Sequence, residues 1–354
     1  MERCTERRAC KTLLQWRHSL HILPIIATLA FFATFIACSG KYKDPPDLTS
    51  SATSVFVYNG DVYVTGRKYD KSQGKNVATV WKNGLPQFLP TQGTGSAGYS
   101  VFVSEGDVYV AGIQWIDPRS GSLPPNLGQA TLWKNGVGQL IGNNDIMSSA
   151  LSVFVSDGDV YVAGFFNFYT HWGSVVKNNR VVSDFAPLGA LAYSLYVANG
   201  DVYVGGHDKG HRAFVWKNGE ALYQYGGNEH TNVHSIFVSG EDVYLAGYFG
   251  DDSHGCRIIA LKNGEPLLGD YSFAEYGSSI FVENGDIFTA GTSGRLGTTA
   301  TVWGNGIPQH FGNGVASSAW VSDGNVYVAG MSRLPPHTDG VACLWKNGVP
   351  QELK

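Results

Sequence analysis

Short apolar bursts recur along this chain, each reversing at a pair of turn residues. The clearest is Ser152-Val-Phe-Val-Ser-Asp-Gly-Asp-Val-Tyr-Val-Ala-Gly164, two apolar runs on either side of Asp157-Gly158. Copies begin at Ser54, Ser100, Ser194, Ser235, Ser279 and Ser318 and end at Gly66, Gly112, Gly206, Gly247, Gly291 and Gly330, which makes seven in all. A second element follows: Ala78-Thr-Val-Trp-Lys-Asn-Gly84, Ala130-Thr-Leu-Trp-Lys-Asn-Gly136, Phe214-Val-Trp-Lys-Asn-Gly219, Ile259-Ala-Leu-Lys-Asn-Gly264, Ala300-Thr-Val-Trp-Gly-Asn-Gly306 and Ala342-Cys-Leu-Trp-Lys-Asn-Gly348. The third copy is degenerate here, with Val175-Val-Lys-Asn-Asn179. Self-similarity at a period of roughly 40 to 50 residues marks propellers and solenoids.

The turn residues set the strand count. Asn-Gly and Asp-Gly supply the positive φ that a two-residue type I′ hairpin needs at both centres. Asn59-Gly60, Asp157-Gly158, Asn199-Gly200, Asn284-Gly285 and Asp323-Gly324 join strands a and b, with Glu105-Gly106 and Gly240-Glu241 as weaker variants. The Lys-Asn-Gly turns join strand c to a short strand d such as Leu85-Pro-Gln-Phe-Leu89. Two hairpins and one longer b-to-c connection make a four-stranded meander, which is a propeller blade. A solenoid stacks coils without paired hairpins, so the turns decide against it.

Strands a and b are apolar on both faces, with Val55 and Val57 on one side and Phe56 on the other. Only sheets sandwiched between neighbours need that. Trp81, Trp133, Trp216, Trp303 and Trp345 of strand c then read as wedges between blades, each worth on the order of 2 to 3 kcal/mol of burial. The expected fold class is all-β: a seven-bladed propeller over residues 52–354, with blades near 52–91, 98–142, 150–188, 192–227, 233–269, 277–312 and 316–354. The first repeat starts with strand a and the last ends with strand d at Leu353, so no strand is left to clasp the ring. Blades 1 and 7 should meet through side-chain packing.

Composition agrees with many tight turns and few helices: Gly 45, Tyr 18, Phe 18 and Trp 9 against 15% charged residues. A net charge of −4 without a basic stripe argues against nucleic acid as a partner.

The first 37 residues are of a different kind. Arg3, Arg7, Arg8, Lys11 and Arg17 precede an uncharged apolar run from Ile22 to Ala37, the pattern of an export signal. At 16 residues the run is short for a spanning helix, which needs roughly 20. It ends in Phe35-Ile36-Ala37-Cys38-Ser39, which resembles the lipobox of bacterial lipoproteins, with Phe35 in place of the usual Leu. The resemblance implies cleavage before Cys38, lipid attachment to it, a polar tether over 38–51, and residence in the cell envelope as an outer-membrane lipoprotein. Cys4 and Cys10 leave with the signal; Cys256 and Cys343 fall in non-adjacent blades and read as small buried hydrophobes.

The full repeat, a small-residue-led apolar strand, a Gly turn, Val-Tyr-Val-Ala-Gly and an aromatic strand, resembles the Kelch repeats of galactose-oxidase-type propellers. It is closer to propeller lipoproteins of Gram-negative bacteria that carry Val-Tyr-Val-Ala-Gly and Trp-Lys-Asn-Gly repeats. Kelch strands end in Gly-Gly, and here only Gly205-Gly206 does so. Propellers host many functions, so the resemblance implies fold and location rather than activity.

In such a meander the a-b and c-d turns share one end of the ring, and the b-c loops and d-a connections share the other. The second end is the variable one. Its candidate ligand contacts are Trp115, Asp117, Phe166, Tyr169, Trp172, His207, Asp208, His211, Tyr248, Asp251 and His254. Aromatic planes beside polar groups suit glycan or peptide recognition, although Phe165 to Trp172 equally read as packing over blade 3. His207 and His211 fall in one expected loop, His230 and His234 in another, with His254 nearby. They raise the alternative of a polysaccharide lyase or hydrolase, provided the side chains converge. No Gly-x-Ser-x-Gly elbow, phosphate loop or His-Glu-x-x-His pattern occurs, and no cofactor or metal is implied. The expectation is a monomeric, membrane-tethered binding module for glycan or protein, with an enzyme or a purely structural envelope protein as rivals.

Overall fold

The computed structural model describes residues 50–116, 127–141, 147–166, 173–184, 190–210, 212–225, 230–251, 255–267, 274–294, 298–333 and 340–354. The apolar run before Cys38, and Cys38 itself, lie outside the described residues.

The chain is an all-β propeller. Blade 1 is β1 (Ser50–Tyr58), β2 (Asp61–Asp70), β3 (Lys75–Lys82) and β4 (Leu85–Phe88). Blade 2 is β5 (Gly95–Ser104), β6 (Asp107–Ile116), β7 (Leu127–Lys134) and β8 (Val137–Leu140). Blade 3 is β9 (Ser149–Ser156), β10 (Asp159–Phe165), β11 (Gly173–Lys177) and β12 (Arg180–Asp184). Blade 4 is β13 (Leu191–Ala198), β14 (Asp201–His207), β15 (Ala213–Lys217) and β16 (Glu220–Tyr225). Blade 5 is β17 (His230–Ser239), β18 (Asp242–Asp251), β19 (Gly255–Lys262) and β20 (Glu265–Pro266). Blades 6 and 7 run together: β21 (Ala274–Glu283), β22 (Asp286–Ser293), β23 (Thr299–Gly304), β24 (Ile307–Ser322), β25 (Asn325–Ser332), β26 (Val341–Lys346) and β27 (Val349–Glu352). The first part of β24 pairs with β23 as the outer strand of blade 6, and the part from Gly314 pairs with β25 as the inner strand of blade 7. Every sheet is an antiparallel meander in chain order.

The turns behave as their residues dictate. Asn59 and Gly60 sit at φ 51 and 81, and Asn83 and Gly84 at 49 and 82. Blade 3 keeps the geometry with asparagine at both centres, Asn178 and Asn179 at φ 48 and 64. At Gly240-Glu241 only Gly240 is positive, at φ 62, as a type II′ turn allows.

The Lys-Asn-Gly turns also explain the Asp that opens strand b. In blade 1, Asn83 Oδ1 accepts the Val62 N–H at 2.8 Å and its Nδ2 donates to Asp61 at 2.8 Å. Lys82 Nζ reaches Asp61 at 2.7 Å and lies 5.3 Å from the Tyr63 ring centre. The arrangement recurs around Asp107, Asp159, Asp201 and Asp242. In each, the lysine hydrogen bond foremost holds the carboxyl below its usual range. Blade 6 keeps the Asn305–Asp286 bond and has Gly304 where the lysine would be; blade 7 keeps Lys346 over Tyr327 and has Asn325 in place of the aspartate. One end of the ring is thus nearly the same motif repeated.

Two circuits fix seven blades and close the ring. The opening serine of each repeat accepts a backbone N–H from the inner strand of the next blade. Val101 donates to Ser54, Val153 to Ser100, Leu195 to Ser152, Ile236 to Ser194, Ile280 to Ser235, Ala319 to Ser279 and finally Val55 to Ser318, all at 3.1 to 3.3 Å. Two residues further along each strand a, Phe56, Phe102, Phe154, Tyr196, Phe237, Phe281 and Trp320 form a second circuit with neighbouring ring centres 4.3 to 5.1 Å apart.

Closure between blades 7 and 1 is by side chains. Trp81, Val55 and Val57 of blade 1 pack with Tyr327, Leu344 and Leu353 of blade 7, and Ala342 N–H donates to Ser50 Oγ at 2.9 Å. Among the described residues no strand from elsewhere joins blade 7. The strand c tryptophans are wedges at such seams: Trp81, Trp133 and Trp216 are wholly buried. Cys343 is a buried free thiol whose pKa burial pushes up to about 12.

Candidate functional site

Strand a carries a register shift just before its repeat serine, between Ala52 and Ser54, Gly98 and Ser100, Ala192 and Ser194, and Val233 and Ser235. A bulge of this kind re-aims the extra residue. That residue is Thr53, Tyr99, Tyr193 and His234 in blades 1, 2, 4 and 5. It lies on the opposite side of the serine circuit from the aromatic circuit, towards the end of the b-c loops.

In blades 4 and 5 the bulge residues meet. Tyr193 and His234 have ring centres 5.3 Å apart. His207, at the end of β14, flanks Tyr193 at 5.7 Å, and Tyr248, near the end of β18, flanks His234 at 5.5 Å. His207 Nδ1 lies 2.8 Å from the Asp208 carbonyl oxygen. A carbonyl only accepts, so Nδ1 carries the proton and Nε2 is left to accept from Tyr193 Oη at 3.4 Å. Asn232, one strand position before Val233, is 5% exposed, and its Oδ1 is buried without a hydrogen-bond partner.

The cluster is uncharged near neutral pH at two of its members. Burial lowers the His234 pKa to about 4, and the neighbouring His207 adds to this because two adjacent imidazoles resist being protonated together. Burial pushes the Tyr193 hydroxyl well above the usual tyrosine range. Neutral imidazole, phenol and amide groups interleaved with aromatic planes suit an uncharged, hydroxyl-bearing ligand.

The residues singled out from sequence divide. His207 and Tyr248 belong to the cluster. His207 and His234 were expected in loops; both are strand residues, His207 closing β14 and His234 within β17, because pairing extends past the repeat motif in these blades. His230 also lies in β17. Asp208 is engaged within its own loop. It is 4% exposed and accepts the N–H groups of Gly210 and Arg212 and the Arg212 guanidinium, with Nε at 2.8 Å. Its burial opposes ionisation, yet Arg212 and these hydrogen bonds bring its pKa below the usual value. It therefore staples the loop that presents His207. Phe166 is 7% exposed and packs with Tyr109, Ile141 and Val176 between blades 2 and 3. Trp115 is half-buried in β6 of blade 2, its carbonyl accepting the Thr94 N–H at 2.6 Å, away in the chain from the cluster of blades 4 and 5. Asp251 ends β18, paired with Gly255. Asp117, Tyr169, Trp172, His211 and His254 lie outside the described residues.

Tyr193 and Asn232 were missed. The signal was available in the residue immediately before each repeat serine, which changes from Thr53 to Tyr99, Tyr193 and His234 while its neighbours hardly change. Among the described residues no group of three or more His, Cys, Asp or Glu side chains is placed to hold a metal ion.

No family model matches the chain, and no curated protein matches it. Solved structures do. The β-propeller domain of the Trilobed protease from Pyrococcus furiosus, described as having an open velcro topology, superposes with a TM-score of 0.53 at 12% identity, over 86% of this chain and 98% of that one. BamB from Moraxella catarrhalis matches with a TM-score of 0.44 at 10% identity, over 84% and 96%. A computationally designed protein, Ika8, matches with a TM-score of 0.47 at 15% identity, over 86% of each chain. At these identities the likeness speaks to fold, and the first of them supports the propeller architecture.

Proposed function

We propose that this chain is an exported, lipid-anchored propeller that acts as a binding module, taking a glycan or a polypeptide at the end of the ring that carries the b-c loops. The observation that carries the reading is the contrast between the two ends. One repeats the same Asp, Lys and Asn arrangement in blades 1 to 5. The other differs blade by blade and, at blades 4 and 5, gathers Tyr193, His207, His234 and Tyr248, with Asn232, whose buried Oδ1 has no hydrogen-bond partner, opposite Tyr248 in the strand pairing. Rigid scaffolds commonly place recognition on their divergent loops. The Kelch-like repeat pattern and the lipobox-like segment at Cys38 favour a monomer tethered to the outer membrane.

Two measurements test this. Lipid labelling of the expressed chain should be lost in Cys38→Ser. A glycan array and a pull-down should retain ligand with the wild type and lose it, at least tenfold, with Tyr248→Ala or Asn232→Ala. Retention of the ligand at full affinity by both variants would remove the cluster from the site.

One observation favours a second reading, an extracellular polysaccharide lyase or hydrolase: the Tyr193–His207 contact places a phenol against an imidazole acceptor, a pairing suited to moving a proton. Turnover of a polysaccharide that is abolished in both Tyr193→Phe and His207→Gln, with binding kept, would promote this reading over the first.

A further inference from the structure

In the strand c register that the tryptophans occupy, two blades differ. Trp81, Trp133 and Trp345 each face Val64, Val110 and Val328 on strand b and Pro86, Gly138 and Pro350 on strand d. Leu261 of blade 5 takes the same place, facing Leu245 and Pro266. Val176 takes it in blade 3, facing Val162 and Val181. Each such side chain packs on the preceding blade: Trp133 lies with Tyr63 and Val80 of blade 1, Trp216 with Tyr161 and Val175 of blade 3, and Leu261 with Tyr203 and Val215 of blade 4.

A smaller residue in a slot shaped for an indole leaves room unless something else enters it, since interiors pack to the density of organic crystals. Between blades 2 and 3 something else is present: Phe166 joins the core beside Val176. Between blades 4 and 5 the half-buried Tyr223 and Tyr225 of β16 pack against the cluster around Leu261, and a cavity of about 300 Å³ still opens there. Leu261, Leu245 and Val215 form part of its wall, and Tyr223 and Tyr225 of β16 stand beside it. Blade 5 contributes to this opening because its strand d is only the two residues Glu265–Pro266. Tyr223 also stands over the turn at Gly264, where the corresponding neighbour of the Gly136 turn is Gln87. The volume falls at the lower end of the range of small-molecule sites. Exposed Gln224 and Glu265 at the mouth offer acceptors for a ring N–H.

We infer that the seam between blades 4 and 5 is a binding site for a flat aromatic group of about the size of an indole, seated where the other blades bury their own tryptophan. The inference is independent of the cluster at Tyr193. The aromatic group is either a free small molecule or the side chain of a bound polypeptide, and the two differ in what surrounds the ring.

The test uses the full-length chain in detergent, with indole and a Gly-Trp-Gly tripeptide as probes. Calorimetry should show wild-type protein binding one equivalent of indole with Kd in the range of about 0.05 to 1 mM, as expected for so small a ligand. In Leu261→Trp the affinity should fall more than tenfold and the thermal midpoint should rise, because the chain then fills its own slot. Leu261→Phe should give an intermediate loss, which keeps the test open if the larger residue fails to fit. Methyl-labelled leucine spectra of the wild type should show Leu245 and Leu261 shifting with indole while Leu353, at the seam between blades 7 and 1, stays still. Tighter binding of the tripeptide assigns the group to a polypeptide, and weaker binding assigns it to a free molecule. Absence of indole binding at several times the upper Kd, or unchanged binding in both Leu261 variants, overturns the site.

Discussion

At the scale of single residues, the last glycine of each Val-Tyr-Val-Ala-Gly strand and the bulge before each serine are one device. A Cβ built on Gly112 would collide with the Ala97 carbonyl oxygen, and one on Gly247 with that of Asn232. The bulge pushes strand a onto strand b at this point, and only a residue without a side chain lets it. Gly112→Ala should therefore cost more than about 2 kcal/mol. Gly158→Ala, in a hairpin at φ 78 with open space around it, should cost only the left-handed backbone penalty of about 1 kcal/mol; urea denaturation of the two variants checks the order. The bulge also sets a pH dependence. His234 titrates at about 4 in the folded chain, lowered by burial and by His207, and near 6.5 when unfolded. Above pH 6.5 neither state holds the proton and stability is flat in this group. As pH falls from 6.5 towards 4 the unfolded chain takes up the proton first, so stability declines, by on the order of 3 kcal/mol. His234→Gln should flatten the denaturation midpoint over that window, and an unchanged slope would refute the assignment.

At the scale of elements, the repeat motifs are mostly scaffold. The asparagine of each Lys-Asn-Gly turn carries the hairpin twice, through its own positive φ and through side-chain bonds that tie strand b to the turn. The lysine beside it makes an exposed ion pair, a contact of small net worth in water. Asn218→Ala should lower stability by about 1 to 2 kcal/mol, and Lys217→Met should leave it nearly unchanged; the thermal midpoints of the two variants separate them. The outermost strands fit the same logic. Leu85, Val137, Ile307 and Val349 are exposed at their starts, and Pro86, Pro308 and Pro350 withhold a donor from a passing strand. This is why the fold was legible: turn chemistry and binary pattern both repeat, so strand count, order and the wedge tryptophans follow from the sequence. The site was less so. His234 is invisible as a strand residue because β17 extends beyond the repeated motif to His230, and Phe166 reads like any loop aromatic until Val176 is seen to leave space beside it. Which loop residues face a ligand depends on local burial that period and composition do not encode.

At the scale of the whole molecule, the seams among the described residues carry no strand pairing beyond the continuous β24 and single backbone bonds such as Gly173 N–H to the Ala190 carbonyl, and one seam also lacks a chain connection. Neighbouring blades are joined by a serine bond and a wedge, and six of the seven seams have a covalent connection as well. Between blades 7 and 1 the wedge Trp81, the Ser318 and Ser50 hydroxyls and Leu353 do the joining, from parts of the chain that are distant in sequence. Removing a wholly buried indole costs about 3 to 5 kcal/mol wherever it sits in a core. Trp81→Ala and Trp133→Ala should therefore lower global stability by similar amounts, since both side chains are wholly buried. Their local consequences should differ. Without Trp81, only side-chain contacts remain among the described residues to hold blade 7 to blade 1, so opening of β25 and β26 should fall below the global unfolding energy. Without Trp133, blade 2 stays tethered to blade 1 through the chain after β4, and its opening should remain global. Native-state hydrogen exchange resolves the two cases. If the amides of Val328 and Leu344 exchange at the global rate in Trp81→Ala, the seam is no weaker than its neighbours, and closure by side chains alone is as firm as closure by the chain.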